Sequence, residues 1–65
     1  MKAISLHSVI PVRVEPKESA EQSTQILFGE TCTIIEQIPR WNRVKLDLDG
    51  QVGWVDSKMI TPMTN

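Results

Sequence analysis

The residues able to do chemistry in this 65-residue chain are few and far apart. One thiol, Cys32, and one imidazole, His7, form the only nucleophile and base that could be paired. Cys32 falls in phase with Ile34 in the middle of a β-branched run, where a free thiol behaves as a small hydrophobe. His7 falls on the opposite phase to the apolar residues of its own segment. That pattern argues for a buried thiol and an exposed imidazole, and against catalysis. Asp47-Leu48-Asp49-Gly50, with Asp56 beyond it, has the acidic spacing of a calcium loop, but its first ligand position would be Lys45, a cation where an anion is required. No Cys/His spacing suits zinc, no glycine-rich run suits a phosphate, and no serine or carboxylate pair has a catalytic spacing. Neither a cofactor, a metal nor a catalytic residue is expected.

What remains is recognition chemistry. Trp41 shares a phase with Arg43 and Lys45, and Trp54 is out of phase with Val55, so simple alternation places both indoles outside the core. Burying one fully is worth at most roughly 5 kcal/mol. The two tryptophans therefore either cover each other and a barrel end, or form a surface for a ligand or a neighbouring domain. Ile26-Leu27-Phe28 is apolar on both strand faces, so Leu27 and Phe28 either cap a barrel end or make an interdomain contact.

Composition limits the partners. Seven basic and eight acidic residues are interspersed along the chain, for a net charge of −1, with no basic stripe for nucleic acid or a membrane surface. The apolar runs are far too short to span a bilayer, and Met1–Ser5 lacks the apolar core of a signal peptide. A lone cysteine excludes an internal disulfide. The length allows one core, and a domain so small buries only roughly 60% of its unfolded surface.

The elements that must position these residues are short strands. Ile4, Leu6, Ile10, Val12 and Val14 share one phase, and Pro11, which cannot donate to a ladder, predicts an edge or a bend. Pro16 closes this region. Residues 17–25 then form a polar loop of nine residues with only Ala20 apolar, too poor in apolar residues for a helix face. Ile26–Phe28 is followed by a Gly29-Glu30 turn and a strand over Thr31–Ile38, and Pro39-Arg40 breaks the chain before a strand over Trp41–Asp47. Asp49-Gly50 predicts a type I′ hairpin turn, with a return strand over Gln51–Val55. A turn at Asp56–Met59 and a strand fragment at Ile60-Thr61 end the domain, and residues 62–65 read as the start of a linker. The class is all-β, with five to six short strands.

The order of Val9-Ile10-Pro11-Val12-Arg13-Val14-Glu15-Pro16, Leu27-Phe28-Gly29-Glu30, Trp41-Asn42-Arg43-Val44 and Gly53-Trp54-Val55 resembles the bacterial SH3 (SH3b) family over roughly residues 3 to 61. Pro-Val-Arg-x-Glu-Pro and Leu-Phe-Gly-Glu look most like the amino-terminal SH3 domain of NlpC/P60-type cell-wall cysteine peptidases. The resemblance implies a small SH3-like barrel, with a long loop after the first strand region and a short 3-10 turn before the last strand. It also implies a non-catalytic module that targets or assists a peptidoglycan stem-peptide hydrolase. That parent would work in the periplasm or cell envelope, with the peptidase's own Cys and His beyond Asn65.

The expected partner is the stem peptide or the parent's catalytic domain, bound by a monomer through Trp41, Trp54, Arg13, Glu15, Glu18 and Asp56. The bland alternative for the loop carboxylates, Glu15 and Glu18 among them, is a solvated charged surface. This chain has no tyrosine, and Asp56 and Met59 stand where the groove of eukaryotic SH3 domains has Pro and Tyr, which argues against polyproline recognition. The second functional class is an adaptor binding an extended peptide or a sheet edge.

Overall fold

A computed structural model describes residues 1–63 and contains seven strands and no helix. In chain order they are β1 (Lys2–Ser5), β2 (Val9–Arg13), β3 (Gln22–Leu27), β4 (Thr31–Ile38), β5 (Trp41–Leu46), β6 (Val52–Asp56) and β7 (Ile60–Pro62). All pair antiparallel in one sheet of order β3-β2-β6-β5-β4-β1-β7. The sheet curls round a single core to which every strand contributes, from Ala3 on β1 through Val44 on β5 to Ile60 on β7. This is the all-β, SH3-like architecture expected.

The seventh strand arises because the first apolar segment is two strands in opposite phase. Ala3 and Ser5 point inward from β1, whereas Ile10 and Val12 point inward from β2. Between them the chain bends: the Ser5 hydroxyl donates to the His7 carbonyl at 2.9 Å and accepts the His7 N–H at 3.3 Å. A shift of one residue turns every following side chain to the other face. Leu6 and Val14, in phase with Ile10 on paper, are therefore half-exposed, and a buried serine takes the inward position.

Pro11 sits opposite Gln25 of β3, and on its other flank β2 meets β6 only at Arg13↔Trp54. The ladder therefore asks no donor of it. β3 begins at Gln22, four residues before the apolar run, which shortens the long loop to residues 14–21. The strand predicted over Thr31–Ile38 is β4 itself.

One of the two turns read from the sequence differs from its signal. At the β5–β6 hairpin Gly50 has φ 76°, but among the described residues Arg40 is the only non-glycine with positive φ. Asp49 therefore does not take the left-handed position that a type I′ turn requires of both central residues. The hairpin closes instead through a wider loop, with Gly50 N donating to Leu46 O at 2.9 Å and Leu46 N to Gln51 O at 2.8 Å. Before β7 the expected turn closes with one i→i+3 bond, Met59 N to Asp56 O at 2.9 Å. β7 takes in Pro62, paired with Ala3, and Met63 N donates to Lys2 O at 2.9 Å, so the sheet continues past residue 61. The remainder of the predicted linker, residues 64–65, lies outside the described residues.

Gly53 owes its identity to a strand crossing. A β-carbon there would stand 2.5 Å from Val12 Cγ1 and 3.0 Å from the Arg13 carbonyl, because β2 crosses directly over β6. The glycine of the Gly53-Trp54-Val55 motif is what lets Arg13 reach its pairing position opposite Trp54.

Candidate functional site

The crossing of β2 over β6 builds one wall of a cleft of about 170 Å³. Its apolar surface comes from Ile10 and Pro11 of β2, Trp41 at the start of β5, and Met59 of the turn before β7. Its polar groups are Arg13 at the end of β2, Glu18 from the loop and Asp56 at the end of β6. Arg13, Glu18, Trp41 and Asp56, four of the six predicted binding residues, are thus brought together from four separate segments. Trp54 stands beside the cleft, half-buried, between its ladder partners Arg13 and Arg43. Glu15 lies apart from it, exposed and ion-paired with Lys17 at 3.2 Å.

The alternation that puts Trp41 outside the main core is correct for the backbone, since Val44 and Leu46 face the opposite way and Trp41 is not part of the core cluster. The indole is nevertheless only 7% exposed. The preceding residue contributes to its cover, with the Arg40 guanidinium 5.5 Å from the centre of the Trp41 ring, and Ile10, Pro11 and Met59 share the cleft with it. Arg40 has φ 73°, a left-handed conformation that costs a side-chain-bearing residue of order 1 kcal/mol or more.

The same guanidinium bridges the two carboxylates, with Nη2 2.5 Å from Glu18 Oε1 and Nε 3.4 Å from Asp56 Oδ2. Asp56 Oδ1 also accepts the Lys58 N–H at 3.0 Å. The Lys58 amide first, and the Arg40 guanidinium after it, hold the Asp56 carboxyl below the usual carboxylate range. Arg13 ties the loop down from the other side, donating to the Ala20 carbonyl at 3.0 Å. The result is an apolar floor ringed by two carboxylates and two guanidinium groups. It can hold a short polar ligand carrying charges of both signs beside an apolar side chain.

Arg40, Ile10, Pro11 and Met59 complete the site without having been singled out as binding residues. Pro11 and Arg40 each had a signal of another kind, as a ladder breaker and a strand terminator. Pro39-Arg40 reads only as a strand break, and the Glu18 and Asp56 carboxylates that hold the guanidinium beside the Trp41 ring come from the loop and from β6.

The groups that could have suggested catalysis are separated. Cys32 is buried on β4, where loss of water, followed by the nearby Asp47 charge, pushes its thiol pKa up and keeps it protonated. His7 sits exposed in the bend after β1 and is held through its main chain by Ser5. Asp47, one of the acidic residues of the apparent calcium loop, pairs with Lys2 Nζ at 2.6 Å and accepts the Thr31 hydroxyl at 2.6 Å. Asp49 is bonded to the Gln51 amide groups of its own hairpin. Leu27 and Phe28 are 43% and 67% exposed at the far end of β3 from the polar loop.

The sequence matches the family model described as the bacterial dipeptidyl-peptidase SH3 domain over residues 12–60. The chain belongs to that family. The matched stretch runs from β2 to the first residue of β7 and so contains the whole polar part of the cleft. No curated protein matches the chain. As a bacterial SH3 domain of a peptidase-associated family it is a non-catalytic binding module.

Proposed function

We propose that this bacterial SH3 domain serves an NlpC/P60-type cell-wall hydrolase in the cell envelope, binding the peptidoglycan stem peptide in the cleft while a catalytic domain elsewhere in the parent chain does the chemistry. The observation that carries this reading is the convergence of Arg13, Glu18 and Asp56 on the Trp41 floor. A stem peptide is short, bears carboxylates and an amino group, and has small apolar side chains. Such a ligand can exchange its own charges for the Arg40 contacts to Glu18 and Asp56 and lay an apolar side chain on Trp41 and Met59.

The test is an amide chemical-shift titration of the 65-residue chain with a soluble muropeptide and, separately, with a proline-rich peptide. Shifts at Trp41, Asp56 and Lys58 with the muropeptide support the proposal. Shifts there with the proline-rich peptide alone overturn it in favour of an adaptor. Cleavage of the stem peptide by these 65 residues alone would remove the non-catalytic role altogether.

A second reading, packing against the parent's catalytic domain, is favoured by Phe28, an aromatic 67% exposed beside the exposed Leu27. It predicts that Phe28→Ser leaves the isolated domain's unfolding unchanged and lowers the activity of the full-length hydrolase. Unchanged full-length activity would argue against it.

A further inference from the structure

The sheet ends at β3, which pairs with β2 on one side and, among the described residues, with no strand on the other. Thr24, Gln25, Ile26 and Leu27, four successive residues of that strand, line one groove of about 120 Å³ whose other wall includes Leu46, Leu48 and Asp49. Side chains alternate between the two faces of a strand. A groove touched by four residues in a row therefore runs along the strand's edge, beside its main chain.

Two observations establish which main-chain groups face it. The Leu27 N–H donates to Glu30 Oε1 at 2.7 Å and not to β2. Gln25 stands opposite Pro11, which has no N–H to give. In an antiparallel ladder the N–H and C=O of one residue point to the same side, and successive residues alternate. Gln25, two residues before Leu27, therefore turns its N–H and C=O outward, where no strand pairs with them.

The groove's charge is one-sided. A second hollow, sharing Glu30, Thr31 and Leu48 with the first, carries the path on to Gly29 and Asp47. Three carboxylates, Glu30, Asp47 and Asp49, line the two together, and no lysine or arginine does. Lys2 meets Asp47 from outside the path. Between the carboxylates Leu27 and Leu48 offer apolar surface, 43% and 79% exposed.

We propose that this edge is a strand-addition site for an extended peptide segment carrying apolar side chains flanked by basic ones. Its backbone pairs with Gln25, an apolar side chain rests against Leu27 and Leu48, and its lysines or arginines meet Glu30 and Asp49. The same charges disfavour a second copy of the chain as the occupant. Pairing two β3 edges sets the carboxylates of one copy against those of the other.

The test is a titration of the isotope-labelled 65-residue chain with the capped pentapeptide acetyl-Lys-Val-Lys-Val-Lys-amide, its Glu-for-Lys counterpart, and a version of the basic peptide N-methylated at the central residue. The basic peptide is expected to shift the amides of Gln25, Leu27 and Leu48, and the acidic one to leave them in place. N-methylation, which blocks one ladder bond and leaves the charges, is expected to weaken binding about tenfold. Glu30→Gln combined with Asp49→Asn is expected to weaken it about fivefold, the sum of two exposed ion pairs. Should that double variant lose its dispersed spectrum, the methylated peptide, which leaves the protein unaltered, carries the test. An equal response to the acidic peptide, shifts confined to the Trp41 cleft, or shifts at β3 that grow with protein concentration in the absence of peptide would each overturn the proposal. The last would make a second copy the occupant.

Discussion

The Trp41 cleft and the β3 groove are two hollows of comparable size built on opposite principles. In the cleft the apolar floor is covered and every carboxylate already has a partner: Arg40 spans Glu18 and Asp56 and lies over the indole. In the groove Leu27 and Leu48 are bare, and the Gln25 main chain turns to an unpaired edge. A ligand enters the first by exchanging contacts the protein makes with itself, and the second by adding contacts the protein lacks. Exchange favours selectivity, because only a ligand matching the displaced charges recovers what is lost. Addition favours tolerance, because main-chain bonds are the same for every sequence.

This contrast is most exposed to stability measurements. Trp41→Ala removes the covered floor and is expected to lower the unfolding free energy by about 3 kcal/mol, whereas Leu48→Ala should stay within about 0.5 kcal/mol of the parent, both read from urea unfolding. Comparable losses at the two positions would mean that the cleft and the groove do not differ in the way described. Gly53→Ala tests the crossing that forms the cleft wall. Its methyl meets Val12 and the Arg13 carbonyl, and a cost of about 2 kcal/mol is expected, with the largest shifts on β2.

Arg40→Gln should change global stability little, because the guanidinium is exposed and its ion pairs are screened. It should speed amide exchange in the loop of residues 14–21 and expose the Trp41 indole to a fluorescence quencher, while leaving exchange at β3 unaltered. If exchange rises at β3 as well, the two hollows are one cooperative unit.

The smallest effect concerns pH. The Asp56 carboxyl is held below its unfolded value of about 3.9, so its contribution to the folded state is complete above that value and is lost as pH falls through the lower folded one. Acid titration should therefore move the Lys58 amide signal with a midpoint below that of a free aspartate. A midpoint at or above about 4 would contradict the Lys58 and Arg40 contacts.

The different visibility of these parts in the sequence has a physical origin. β4 and the core residues Cys32, Ile34, Val44 and Leu46 were legible because alternation is a local property that tertiary packing reinforced. The split between β1 and β2 was not, because the Ser5–His7 bend shifts the phase with a side-chain bond that leaves no trace in hydrophobicity. The cleft residues Arg13, Glu18, Trp41 and Asp56 were legible as types, charged and aromatic groups near turns. Their assembly depends on the ion pairs that Arg40 makes with Glu18 and Asp56 and on the close approach at Gly53, and neither is set by neighbours in the chain. Trp41 shows the limit most clearly: alternation keeps it out of the main core cluster, and the apolar residues that share the cleft with it, Ile10, Pro11 and Met59, are remote in the chain.

Pro62 has a consequence for how such domains meet one another at high concentration. Lys2 O accepts the Met63 N–H, so by alternation Pro62 turns its ring nitrogen away from β1, toward the outer side of the last strand in the sheet. At that end one of the two outward positions is a tertiary amide nitrogen with no hydrogen to donate, while Ile60 keeps its N–H. A fibril or an edge-to-edge dimer needs a donor as well as an acceptor at each step of its growth. The β7 end is thus a poorer template for a newcomer than an edge with every outward donor in place, and the β3 end is the easier direction for any elongation of this sheet.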